Sequence, residues 1–356
     1  MKSTLGWLAC MVTSLVACNA SVSEDPGPIS QAGSTSVSQG GDTGHAAGGS
    51  EGGALAGGQS SASGGATNSA GAPVASGGAQ TASGGAQTAS GGAQTASGGA
   101  TGSGPTPVLP PISGECPKFA TGTATIGGLS GISLQVGPKK QGTGSLLFYW
   151  HGTGSTASEV NSLVPSAVRS EILSQGGIIV SFQSSLGTGG DCSGTSTFSK
   201  DDFKIADLIA ACAVRDYGID ARRIYTTGCS AGGLQAGCMG ALRSSYVAAA
   251  APNSGGEVSQ QPIQDTAHTP AVMTMHGGTS DRVVVSFATT SATYDAQMKK
   301  AGSFVVNCNH SGGHCQAPAA LYTAAWQFMK DHPFGEKPEP YGTGLPQSFP
   351  TYCMTY

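Results

Sequence analysis

The chain has 356 residues, a formal net charge of −4 and 57 glycines, 26 of them in residues 1–115 and 31 in residues 116–356. Its 16 basic residues form no run, which argues against a nucleic-acid partner. Between Trp7 and Phe119 there is no aromatic residue, a single basic residue (Lys118), and only five acids (Glu24, Asp25, Asp42, Glu51 and Glu115). Such a segment cannot bury enough apolar surface to offset the entropy of ordering it, so disorder is expected there. The remaining 241 residues, Cys116 to Tyr356, suffice for one domain with a large core.

In chain order, Lys2 precedes an apolar stretch from Leu5 to Val16, too short to span a bilayer and right for a secretory signal. Its end, Leu15-Val16-Ala17-Cys18, resembles a bacterial lipobox. That resemblance implies removal of residues 1–17 and acylation of Cys18, which would hold the protein at a membrane surface of the cell envelope without a spanning helix. A plain secretory signal with an incidental Cys is the alternative. Residues 18–115 are expected to be linker. From Ala75 the unit Ala-Ser-Gly-Gly-Ala-Gln-Thr repeats three times and part of a fourth. No position of the unit is a large apolar residue, so the seven-residue period makes no coiled-coil seam. Pro105, Pro107, Pro110 and Pro111 stiffen the last part.

From Cys116 onward the pattern alternates strand and helix. Leu146–Trp150 and Gly177–Phe182 are predicted strands, with helical spacing from Ala157 to Ser174 interrupted at Pro165. Asp202–Asp216 is a predicted amphipathic helix closed by Gly218, followed by a strand at Arg223–Thr227 and a helix at Ala231–Leu242. Val247–Ala251, Ala271–His276 and Phe304–Asn307 read as strands, and Ser286–Ala301 and Ala317–Lys330 as helices. The alternation predicts an α/β fold, a mostly parallel sheet with helices on both faces, whose ligands bind at the carboxyl ends of the strands.

Gly228-Cys229-Ser230-Ala231-Gly232 sits where the strand ending at Thr227 meets the helix starting at Ala231. The pattern G-x-S-x-G is cheap in so Gly-rich a chain, and Gly48-Gly49-Ser50-Glu51-Gly52 repeats it in the linker. The strand–turn–helix context distinguishes Ser230, because a nucleophile elbow needs that strained turn. There the helix N-terminus offers the Ala231 N–H to an oxyanion. A serine nucleophile needs a base and an orienting acid, in the chain order Ser, acid, His. Asp281 follows the strand Ala271–His276. His314 lies in the loop after Phe304–Asn307, with Gly312-Gly313 before it to let the loop fold back. His310 and Asp265 are the weaker candidates, while His276 and Asp331 are expected to be structural. The loop His151–Ser155 supplies a second oxyanion donor, the N–H of Thr153.

The segments Trp150–Ser155, Tyr217–Tyr225 leading into Gly228–Gly233, His276-Gly277 with Asp281, and Gly313-His314 together resemble an alpha/beta-hydrolase of the esterase group that holds feruloyl esterases and polyhydroxybutyrate depolymerases. The resemblance implies hydrolysis of carboxylic esters through a serine acyl-enzyme without cofactor or metal. Ser230, Asp281 and His314 would be catalytic, and the N–H groups of Thr153 and Ala231 would bind the oxyanion. The expected substrate is an ester attached to a polymer. Plant polysaccharide feruloyl esters come first, with polyester or acetylxylan as alternatives, and the chain is expected to act as a monomer. A non-catalytic surface lipoprotein on the same fold is the non-enzyme alternative.

Eight cysteines lie in the domain, and an even count in an exported chain implies disulfides. Cys229 precedes the nucleophile and Cys315 follows the base, so a bridge between them is expected if Ser230 and His314 meet. This resembles the Cys-Ser, Asp, His-Cys arrangement of some fungal feruloyl esterases and tannases. Only 50 residues separate Ser230 from Asp281, which leaves no room for the large lid of those enzymes and predicts an open cleft. A zinc site from Cys308, His310, His314 and Cys315 is the competing reading of the same loop. The partners of Cys116, Cys192, Cys212, Cys238, Cys308 and Cys353 stay open.

Overall fold

The computed structural model describes residues 105–183, Cys192 and residues 197–356. The signal peptide, Cys18, the seven-residue repeats and the rest of the linker before Pro105 lie outside the described residues.

Among the described residues, nine strands form one sheet in the order β1-β2-β4-β3-β5-β6-β7-β8-β9. β3 (Gly144–Trp150), β4 (Ile178–Phe182), β5 (Ile219–Cys229), β6 (Ala249–Asn253), β7 (Ala271–His276) and β8 (Val305–Asn309) run parallel. Two antiparallel strands, β1 (Gly122–Ile126) and β2 (Leu129–Val136), flank them on one side, and β9 (Cys353–Thr355) pairs antiparallel with β8 on the other. The continuous apolar run of β3 follows from this position, since a central parallel strand is covered on both faces. Alternation then divides its side chains. Leu146, Phe148 and Trp150 join the core cluster that contains α3 (Asp202–Cys212) and α4 (Ala231–Leu242). Leu147 and Tyr149 join the opposite cluster, with α1 (Val160–Leu163), α2 (Ser166–Ser174) and α6 (Ala319–Asp331). Tyr294 and Met298 of α5 (Phe287–Lys300) pack on Val272 of β7 and Val305 of β8. Helices thus cover both faces, as the alternation predicts.

Pro165 separates α1 from α2, because its ring disfavours helical backbone at Val164. The helix predicted for Asp202–Asp216 is α-helical only to Cys212, continues as a single π-turn over Ala213–Tyr217, and stops at Gly218, whose φ is +91°. The indole of Trp150 stacks on Phe182 at 4.2 Å and donates to the Thr226 hydroxyl at 3.1 Å. Trp150 and Tyr149 are fully buried and belong to the core.

Residues 105–115 lie along the domain, with Leu109 and Ile112 packed against the core and Val108 N–H donating to the Ser245 carbonyl at 2.8 Å. Ser245 lies between α4 and β6, at the amino ends of the strands. The chain therefore enters the domain at the pole where the parallel strands begin.

All eight cysteines of Cys116–Tyr356 are paired: Cys116 with Cys212, Cys192 with Cys238, Cys229 with Cys315, and Cys308 with Cys353. The first ties residues ahead of β1 to α3 across 96 positions. Replacing both Cys116 and Cys212 by Ser is expected to lower unfolding free energy by about 2–5 kcal/mol, because long loops gain the most from closure. Urea unfolding followed by tryptophan fluorescence measures the change.

Candidate active site

β5 ends at Cys229 and α4 begins at Ala231, so Ser230 alone makes the turn. Its φ of +59° and ψ of −123° lie where non-glycine residues rarely sit, and the surrounding contacts must hold it there. Ser230 N–H donates to the Asn253 carbonyl at 3.2 Å. Gly228 and Gly232 flank the turn, and a Cβ on either would strike the carbonyl of Trp150. Those glycines let strand and helix cross closely enough to project the Ser230 side chain above the sheet.

The other two groups arrive from the carboxyl ends of neighbouring strands. Asp281 follows β7 through a single 3-10 turn, Gly278–Ser280, and His314 follows β8. His314 Nδ1 lies 2.8 Å from Asp281 Oδ1, and its Nε2 lies 2.8 Å from Ser230 Oγ. Asp281 is fully buried, and its other oxygen, Oδ2, accepts from Gly277 N–H at 2.9 Å and Ser254 Oγ at 2.7 Å. Burial raises the Asp281 carboxyl, but the hydrogen bond from His314, with those from Gly277 and Ser254, outweighs it and holds the pKa below the ordinary value. An ionised Asp281 only accepts, so the proton sits on His314 Nδ1 and leaves Nε2 to accept from the Ser230 hydroxyl. Phe287 stacks on the imidazole with ring centres 4.6 Å apart.

The three groups predicted from chain order are thus brought together. The Cys229–Cys315 bridge is present beside them. In the zinc alternative both cysteines are consumed, Cys308 by Cys353 and Cys315 by Cys229. His310 turns aside, its Nδ1 accepting from Gly312 N–H at 3.1 Å. His276 Nε2 meets Asn307 Oδ1 at 3.2 Å, Asp331 accepts from Tyr341 at 2.9 Å, and Asp265 accepts from Ala267 N–H at 2.8 Å, so each has a structural bond away from Ser230.

Thr153 and Ala231, the expected oxyanion donors, both line the cleft beside Ser230. The Thr153 loop is anchored by a residue that the sequence reading did not single out. The Glu159 carboxylate accepts from Gly152 N–H at 3.0 Å and from Tyr149 O–H at 2.8 Å. Ser254 was missed as well. It follows β6, which supplies none of the three groups, and the only signal for it in the sequence is its place just past a strand end. A third omission is the composition of the cleft, which has a volume of about 470 Å³. Leu234, Val258, Val283, Val284, Val285 and Phe287 line it, together with Thr153, Ser230, Ala231 and His314. Val258, Val283 and Val284 are exposed at 45%, 62% and 73%, a concentration of apolar surface at one opening.

The span from Ser230 to Asp281 consists of α4, β6, an irregular segment and β7, with no inserted lid. A hydroxyl bonded to an imidazole that is in turn bonded to a buried carboxylate can lose its proton as it attacks a carbonyl carbon. Among the described residues, no helix is long and apolar enough to cross a membrane.

The sequence matches no family model and no curated protein. Solved structures do match. Native pOPH is 16% identical with a TM-score of 0.53, and the alignment covers 68% of this chain and 96% of that one. A pOPH variant in complex with DMSO gives 14% identity and a TM-score of 0.55, covering 68% and 95%. Native sOPH gives 16% and 0.50, covering 70% and 96%. At such identities the likeness concerns architecture. Together with the strand order and the turn at Ser230, it establishes that this chain has the alpha/beta-hydrolase fold.

Proposed function

We propose that the protein is a serine carboxylic-ester hydrolase. The observation that carries the reading is the unbroken series Ser230–His314–Asp281 opening onto an apolar cleft. Ser230 Oγ attacks the ester carbonyl as His314 Nε2 takes its proton. Asp281 holds the Nδ1–H tautomer and stabilises the imidazolium that forms. The N–H groups of Ala231, at the N-terminus of α4, and of Thr153 receive the oxyanion. His314 then returns the proton to the leaving alcohol. Water, activated by the same imidazole, attacks the acyl-enzyme and releases the acid. All bond changes occur among the ester, water and these side chains, so the cycle needs no cofactor.

Cleft size and composition support an acyl group as large as ferulate over acetyl, with the ester attached to a polymer that the open rim can admit. The exposed Val258, Val283 and Val284 favour a second reading, a solid polyester chain lying across the rim. The paired cysteines support an exported protein working in oxidising surroundings. Within this reading Cys18 is the acylated anchor and the chain acts as a monomer.

A panel of methyl ferulate, methyl acetate, acetylated xylan and polyhydroxybutyrate film, offered to one preparation, tests the substrate class. Methyl ferulate is expected to exceed methyl acetate in kcat/KM by about 10-fold or more, the discrimination an apolar pocket can supply. Equal values, or a preference for acetylated xylan, would overturn the feruloyl assignment. Release of soluble acid from the film alone would establish the polyester reading.

A further inference from the structure

The dipeptide at the end of β6, its last residue Asn253 and the following Ser254, belongs to none of the three catalytic loops and touches all of them. The Asn253 carbonyl accepts from Ser230 N–H at 3.2 Å. Ser254 Oγ donates to Asp281 Oδ2 at 2.7 Å and accepts from the N–H of Cys315, the residue after His314, at 3.0 Å. Ser254 is fully buried, and its own N–H donates to the Met275 carbonyl in β7 at 2.7 Å. Its φ is +42°, a left-handed conformation that serine adopts at a cost. A serine kept in that conformation, with its hydroxyl used once as donor and once as acceptor, is a structural commitment to those two partners.

We infer that Ser254 is a positioning residue for ester hydrolysis: its hydroxyl fixes the distance between the Asp281 carboxylate and the backbone that carries His314. The inference rests on the serine-hydrolase reading above. The Cys229–Cys315 bridge fixes the same His314 loop from the opposite side, toward Ser230. The loop is therefore held between the acid and the nucleophile by one hydroxyl and one covalent bond. Without the hydroxyl, Asp281 keeps Gly277 N–H and His314, while the Cys315 N–H loses its partner. The imidazole then gains freedom relative to both Asp281 and Ser230. Because reacting groups displaced by about 1 Å can cost about 100-fold in rate, the loss falls on kcat and not on substrate binding.

Ser254→Gly tests this in the full chain, since glycine accepts a φ of +42° and removes the hydroxymethyl group without adding backbone strain. With p-nitrophenyl acetate, kcat is expected to fall by about 10- to 100-fold with KM within about twofold. The acid limb of the kcat–pH profile should move upward, because the Asp281 carboxylate, with one donor fewer, draws more strongly on the imidazole proton it shares at 2.8 Å. A merely structural residue would lower the amount of folded enzyme without moving that limb. Ser254→Ala, which loses the hydroxyl but keeps the backbone penalty, should match Ser254→Gly in kcat. Wild-type kcat and an unmoved acid limb in folded Ser254→Gly would overturn the inference, as would failure of both variants to fold. Absence of turnover and of fluorophosphonate labelling in the wild-type chain would instead overturn the hydrolase reading, and this one with it.

Discussion

Ser230→Ala is expected to lower ester turnover by about 10⁴-fold or more, with the melting temperature unchanged or higher. The loss is large because the hydroxyl meets the imidazole's acceptor nitrogen at 2.8 Å, where its proton can pass to the ring. Removing it deletes the acyl-enzyme route and does not merely slow it. What remains is whatever the oxyanion donors achieve with water. The fold should tolerate the change, since the Ser230 N–H bond to Asn253 belongs to the backbone and the φ of +59° penalises alanine no more than serine. Turnover of p-nitrophenyl acetate and labelling by a fluorophosphonate provide the check. Wild-type rates in the variant would remove Ser230 from the mechanism.

Asp281→Asn should cost about 10³- to 10⁴-fold in kcat while leaving the backbone in place. The asparagine amide has one accepting oxygen and one donating nitrogen where the carboxylate has two acceptors. Gly277 N–H and the Ser254 hydroxyl both point at Oδ2, so the oxygen is retained there and the NH₂ turns to His314. Nδ1 must then accept, which moves the ring proton to Nε2. In that tautomer the imidazole donates to Ser230 and cannot take its proton. The same geometry explains why Asp281 stays ionised well into acid. Its depressed pKa means that the stability its hydrogen bonds supply is present above the unfolded carboxylate pKa and is lost as pH falls through the lower folded value. A kcat within tenfold of wild type would contradict this account of the tautomer.

The elements with a long apolar run or a clear helical period were legible from the sequence, and α4 and β7 begin and end where the pattern places them. β5 begins at Ile219, before Arg223, since Asp220, Ala221 and Arg222 are partly exposed and interrupt the apolar signal. β1 and β2 were missed although Ile132 and Leu134 alternate with half-buried neighbours, because Gly and Ser around them read as turn. β9 is three residues long and is joined to β8 by Cys308–Cys353 as well as by pairing, a long-range constraint that no local pattern encodes. The hydroxyl, imidazole and carboxylate were legible because chain order and strand ends constrain them together. Ser254, Glu159 and the valines of the rim were not. Each matters through what it touches in space, across 27 positions for Ser254 and Asp281 and 61 for Ser254 and Cys315.

The first described residues and the cleft occupy opposite ends of the sheet. Val108 is stitched to Ser245 at the pole where the parallel strands start, while Ser230, Asp281 and His314 stand at the pole where they finish. Pro105, where the described chain begins, is thus at the end of the sheet away from the cleft, and residues 105–115 leave the mouth uncovered.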